Sequence, residues 1–151
     1  MSATQLEIEV LKEAPGVDLY FVRTTLERIL IDHNNHRQLT CILTSDAHVH
    51  QLNRDFRGFD KSTDVLSFDL SDAIHPANPI LGEIYISVDQ AQRQAQEAGH
   101  TLHCEVLHLS VHGTLHLLGF EHDTDDGYQL MQTEEKRYLT HINNALSQKG
   151  V

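Results

Sequence analysis

The stretch Leu102-His-Cys-Glu-Val-Leu-His-Leu-Ser-Val-His112-Gly-Thr-Leu-His116-Leu-Leu-Gly119-Phe-Glu-His122 decides how this chain folds. Leu102, Val106, Leu107, Leu109, Val111, Leu115, Leu117 and Leu118 surround a helix of roughly residues 102–118 on most sides, and such a helix is buried in the middle of a domain. His112 and His116 stand one turn apart on it, with Cβ atoms about 5–6 Å apart. Two imidazoles so placed can share one metal ion, at Zn–N distances of about 2.0–2.1 Å. Gly119 has no Cβ and can take the left-handed conformation that ends a helix. The chain then turns back and brings His122 round as a third ligand. Three nitrogen ligands leave a fourth position open to water, the layout of a catalytic zinc site. Imidazoles on a buried helix also need partners, and one ion satisfies both.

The chain holds 12 histidines in 151 residues, so a pair at i, i+4 is weak evidence by itself. The third histidine beyond a helix-ending glycine is what makes the pattern specific. The spacing H-x-x-x-H-x-x-G-x-x-H also occurs in metzincin proteases, which carry their general base, a glutamate, directly after the first histidine. Here that position is Gly113, which argues against peptide hydrolysis. His108 lies one turn before His112. Three histidines stacked on one helix do not easily reach one ion, so His108 is read as a neighbour of the site or a satisfied core residue.

A length of 151 residues with 40% hydrophobic content suits one domain, 1–151, with a real core. No run reaches the ~18 apolar residues of a membrane helix, and the N-terminal Met-Ser-Ala-Thr-Gln-Leu-Glu-Ile-Glu-Val has no signal-peptide pattern. Cys41 and Cys104 fit neither a metal spacing nor a disulfide framework; both read as buried free thiols, in a reducing cytoplasm. The net charge of −11, from 11 basic and 22 acidic residues, is awkward for a nucleic-acid partner. A polyanion site must then be a local positive cleft with the metal as its largest charge.

Outward from the central helix, residues 5–11 alternate as a first strand, ended by Pro15-Gly16. Leu19, Val22, Leu26, Ile29 and Leu30 mark an amphipathic helix over 17–33. Leu39 to Thr44 is a second strand. Ser45 or Asp46 caps the next helix, with Val49, Leu52 and Phe56 along one side. Arg54, Arg57 and Lys61 follow; they read either as a solvated helix end complementing its carbonyls or as functional cations. Thr63 to Phe68 and Leu81 to Val88 are the third and fourth strands, the latter with Ile84, Ile86 and Val88 on one face. The proline-bearing loop from Ser71 to Pro79 between them reads as a mobile flap beside a substrate groove. A helix over 89–98 ends at Gly99. Asp123, Asp125 and Asp126 open a last helix, with Met131, Tyr138, Ile142 and Ala145 as its apolar face. The economical architecture is α+β: a single four-stranded sheet packed with about five helices, the metal site at the C-terminal end of the central one.

Leu52-Asn53-x-x-Phe56-Arg57, Thr63-Asp-Val-Leu-Ser-Phe68, Leu81-Gly82-Glu83-Ile84 and His112-Gly-Thr-Leu-His116-Leu-Leu-Gly-Phe-Glu-His122 together resemble the YbeY-type endoribonucleases, over nearly the whole chain. The resemblance implies a single-strand-specific, metal-dependent endoribonuclease. It would act in ribosomal RNA processing, including the 3′ end of small-subunit rRNA, and in ribosome quality control. It implies one zinc ion on His112, His116 and His122, and a functional arginine at Arg57. Glu83 and Glu121 stand where the family commonly has Asp; both keep the charge and move it by one methylene. The oligomeric state, the attacking group (water or the RNA 2′-oxygen) and the cleavage site stay open. A rival of another class is a ribosome-associated binding factor whose metal is structural.

Overall fold

The computed structural model describes residues 6–71 and 79–148, and of residues 140–148 the backbone alone. In chain order the elements are β1 (Leu6–Val10), α1 (Leu19–Asp32), β2 (Gln38–Thr44), α2 (Asp46–Arg57), β3 (Val65–Asp69), β4 (Ile80–Ser87), α3 (Val88–Ala98), α4 (Leu102–Leu117) and α5 (Asp125–Gln148). One four-stranded sheet has the order β1-β2-β4-β3. β1 and β2, and β2 and β4, run parallel, while β3 runs antiparallel to β4 and forms an edge. The expected α+β class, strand number and helix number hold among the described residues.

Pairing register sorts the side chains onto two faces, because alternate residues of a strand point to opposite sides. Leu39, Cys41 and Leu43 of β2 pair with Gly82, Ile84 and Ile86 of β4, and Ile84 and Ile86 with Ser67 and Val65 of β3. This face meets α4: the Cys41 Sγ lies 3.8 Å from the Ser110 Oγ. Val22, Leu26, Ile29 and Leu30 of α1 complete the same core. The other face carries Ile42, Glu83, Tyr85, Leu66 and Phe68, over which α2 lays His48 and Phe56 in edge-on ring contacts.

α4 earns its central place by being apolar nearly all round, and its two buried hydroxyls are satisfied within the helix. Ser110 donates to the Val106 carbonyl at 2.7 Å and Thr114 to the Ser110 carbonyl at 2.8 Å. Gly113 sets how close it comes. A Cβ there would stand 3.0 Å from both Ile84 Cγ2 and Ser67 Oγ, so any larger residue would push these side chains back and loosen the seat of the helix on β3 and β4.

Some expectations need correction. Val88 does not continue β4: the Ser87 hydroxyl caps Gln90 N–H and starts α3 there. Cys104 is half-buried, since its stretch of α4 lies at the helix start; Cys41 is buried as expected. Burial pushes the Cys41 thiol up to about 11, which leaves it inert. Phe56 continues the spacing of Val49 and Leu52, but Val49 is buried, Leu52 half-buried and Phe56 71% exposed, because α2 runs past its cover. Of the loop expected as a flap, residues 72–78 lie outside the described residues, as do the side chains of Ile142 and Ala145. Among the described residues no helix is long and apolar enough to cross a membrane.

Candidate active site

α4 ends at Leu117, and Gly119 follows at φ +103°, a value that favours glycine, as the sequence required. That turn carries His122 back over the helix. Its ring centroid lies 5.6 Å from that of His112, the planes inclined 31°, and 6.4 Å from that of His116, inclined 34°. Three imidazoles on one tetrahedral ion at about 2.0–2.1 Å would have centroids about 5 Å apart. The observed separations are wider. Among the described residues no group of three or more His, Cys, Asp and Glu side chains already stands in a ligating array. Side-chain rotations that draw the rings together by about an ångström would make one, and the donor set suits zinc.

These histidines are less buried than expected. α4 is buried, yet His116 and His122 are exposed and His112 is half-buried. The histidines emerge on the one stripe of the helix that the core leaves open. His108 is on that stripe too, its ring 6.5 Å from that of His112.

α5 supplies the group that sequence reading missed. The Glu135 Oε2 lies 2.5 Å from His112 Nδ1, and Oε1 lies 3.8 Å from His108 Nε2. Burial raises the Glu135 carboxyl, but the two imidazoles outweigh it and bring it down to about 2. With Nδ1 bonded to this carboxylate, His112 keeps Nε2 for an ion, an arrangement common to metal-bound histidines. A small cavity of about 40 Å³ adjoins the pair, lined by His112, His122, Tyr128, Met131, Gln132 and Glu135. The signal for Glu135 was legible. Met131, Glu135 and Tyr138 fall at i, i+4 and i+7, so a carboxylate interrupts the apolar stripe of α5.

Of the three cations at the end of α2 and just beyond it, Arg57 alone reaches the sheet. Gly58 ends the helix at φ 75°. The Arg57 guanidinium donates through Nη2 to the Ser67 carbonyl at 2.7 Å and lies 5.6 Å from the Phe68 ring centroid. Ser67 Oγ in turn donates to the Gly113 carbonyl at 3.3 Å, so Arg57 reaches a β3–α4 contact whose helix residue is next in sequence to His112. Arg54 pairs with its neighbour Asp55 at 3.4 Å, and the Lys61 Nζ lies over Phe59 at 5.7 Å.

The family pattern described as Endoribonuclease YbeY matches residues 11–143. This chain belongs to the YbeY endoribonuclease family. A relative so named from Desulfitobacterium hafniense is 40% identical over 112 residues, 70% of this chain and 71% of its own length. One from Gloeobacter violaceus is 45% identical over 111 residues, 70% of this chain but 57% of its own length. The solution structure of TM1509 from Thermotoga maritima superposes with a TM-score of 0.65 at 29% identity, covering 94% of this chain and 93% of that one. The YbeY match spans Arg57, His112, His116, His122 and Glu135, so every group gathered at this site lies inside the family's domain.

Proposed function

We propose that this chain is a single-strand-specific, zinc-dependent endoribonuclease that acts in the cytoplasm on ribosomal RNA. Its tasks would be 3′-end maturation of small-subunit rRNA and ribosome quality control. The observation that carries this reading is His122 folded back onto His112 and His116, with Glu135 fixed behind His112. Family membership supports the RNA phosphodiester as substrate.

His112, His116 and His122 would hold one zinc ion. Bound there, zinc supplies Lewis acidity toward a phosphoryl oxygen and an acidified water. Glu135 fixes the His112 ring and its tautomer through Nδ1. Arg57 has five N–H donors, of which the Ser67 carbonyl engages one. The rest are free to bind phosphate oxygens as charge builds on them, in the two-point manner that suits a guanidinium. Gly113 has no room for a glutamate, so a protease-type base is missing and peptide hydrolysis is disfavoured.

The test is cleavage of a single-stranded RNA with and without chelator, beside circular dichroism and a zinc assay. Loss of cleavage with the fold intact and one zinc per chain restored on reactivation is the expected result. Cleavage that survives complete metal removal would overturn it. Loss of the fold together with the metal would favour the structural-metal binding factor instead.

A further inference from the structure

We propose that the cleft between α2 and the edge of the sheet is a subsite for one unpaired nucleobase of the RNA, selective for a base that offers an exocyclic amine. This rests on the endoribonuclease reading and adds to it. The cleft has a volume of about 260 Å³ and is lined by Leu52, Phe56, Phe68, Leu70, Glu83 and Tyr85. It lies on the sheet face opposite α4, and nothing in the metal reading uses it.

Its walls have the chemistry of a base-binding site. Phe56 is 71% exposed. A phenylalanine in water is unfavourable, and one left exposed in the wall of a cleft marks a binding surface. Phe68 stands edge-on to Phe56 at 5.9 Å and to Tyr85 at 5.7 Å, so the aromatic wall is braced from both sides. Base–aromatic stacking is the usual way a protein holds unpaired RNA. The volume is below the roughly 300–1,000 Å³ of pockets for drug-sized ligands, which fits a single base.

Charge fixes the occupant. Arg57 follows Phe56 directly, and its guanidinium sits at the β3 edge, where a phosphate beside a stacked base would fall. Glu83 lines the cleft itself, its Oε1 accepting the Tyr85 hydroxyl at 2.9 Å. A carboxylate has acceptor sites for a second donor. Cytosine offers its N4 amine, the donor that Glu accepts in base readout. Uracil has a carbonyl oxygen, an acceptor, where cytosine has that amine, and an oxygen there cannot donate to the carboxylate. An apolar protein segment has no use for Glu83. The chain also ties the subsite to the histidine helix: Phe68 faces the cleft, while the preceding Ser67 bonds Gly113, next in sequence to His112, on the other face of the sheet. An RNA strand crossing the β3 edge past Arg57 would reach from one to the other.

The experiment measures binding of fluorescein-labelled ten-residue oligocytidylate and oligouridylate by anisotropy. It uses the zinc-loaded protein, and RNA integrity is checked on a gel. The expected result is tighter binding of oligocytidylate, and a loss of about 5- to 150-fold on Phe56→Ala, the cost of one stacked base. Phe56→Tyr should restore most of it, and Glu83→Gln should level the preference between the two strands. Melting curves should not move for Phe56→Ala, whose side chain is mostly in water. If Phe56→Ala binds like the parent while Arg57→Ala does not, the subsite is wrong and the endoribonuclease reading stands. If the parent neither binds nor cleaves either RNA, both fall. If Phe56→Ala instead changes the protein's size in solution, the cleft is a protein contact and the subsite is overturned.

Discussion

The two sides of α4 are built to opposite rules. The side toward the sheet is closed: Val106, Ser110 and Gly113 are shut against β2, β3 and β4, and every buried hydroxyl bonds within the helix. The other side is open: His108, His112 and His116 stand half or wholly in solvent, where Glu135 of α5 meets the first two and His122 the last two. One side spends its residues on contact distance, the other on donor atoms. Adjacent residues Gly113 and His112 belong to different sides, which is why their substitution should give different kinds of failure.

Gly113→Glu should have the largest effect. A side chain there meets Ile84 and Ser67 at its first carbon, at 3.0 Å, and a carboxylate would then be driven into the sheet. Overpacking costs about 1–3 kcal/mol and an unpaired buried charge several more, so the variant should not fold at 37 °C. Gly113→Ala, which adds only the clash, should fold with a clearly lowered melting temperature. A well-folded Gly113→Glu protein would show that the closed side can open.

His122→Ala should do the reverse: keep the melting curve of the metal-free protein and lose zinc stoichiometry. The side chain is exposed, so stability without metal should change by no more than about 0.5 kcal/mol. A variant that still retains one zinc per chain would remove His122 from the ligand set.

How much of this was legible follows from distance along the chain. The register of His112, His116, Gly119 and His122 is local, and the structure keeps it. The four strands were legible because their apolar runs are bounded by turn residues, although Val88 went to α3 once Ser87 served as its cap. Periodicity tells which side of a helix a residue occupies but not whether anything covers that side. Hence Phe56 read as packed and is exposed, and the histidines read as buried and emerge into solvent. The partner of His112 lies 23 residues away on another helix; the carboxylate in the apolar stripe of α5 marks Glu135, but no local pattern says which residue it meets. The packing at Gly113 was equally hidden, since only the sheet's approach gives that glycine its reason.

Arg57→Ala tests the bridge between the two sides. RNA cleavage should fall about 10²-fold, the usual loss when one transition-state donor is removed. Stability should drop by about 1 kcal/mol or less, from the exposed hydrogen bond to Ser67 and the stacking on Phe68. Arg57→Lys should recover little, because a point charge cannot reproduce the fork. Zinc content should stay at the parental value in both. Glu135→Gln, on the open side, should weaken zinc affinity by about 10- to 100-fold, measured against a competing chelator. Unchanged affinity would show that His112 holds its orientation without the carboxylate.

Ser110→Ala should have the smallest effect, and its smallness is informative. Ser110 is fully buried beside Cys41, where loss of a polar group is often costly. Here the hydroxyl donates to the Val106 carbonyl of its own helix, one turn back. Substitution leaves no donor stranded, and that carbonyl keeps its place in the helical ladder. Cys41 loses only a weak sulfur contact at 3.8 Å. Alanine also has the better helix propensity and removes a back-bond that slightly strains a helix. The change in stability should therefore stay within about 1 kcal/mol, and zinc content and cleavage should match the parent. A loss of several kcal/mol would mean that the Cys41–Ser110 contact, and not the close approach at Gly113, fixes α4 on the sheet. The closed side would then depend on polar pairing, and the division between the two sides of this helix would have to be redrawn.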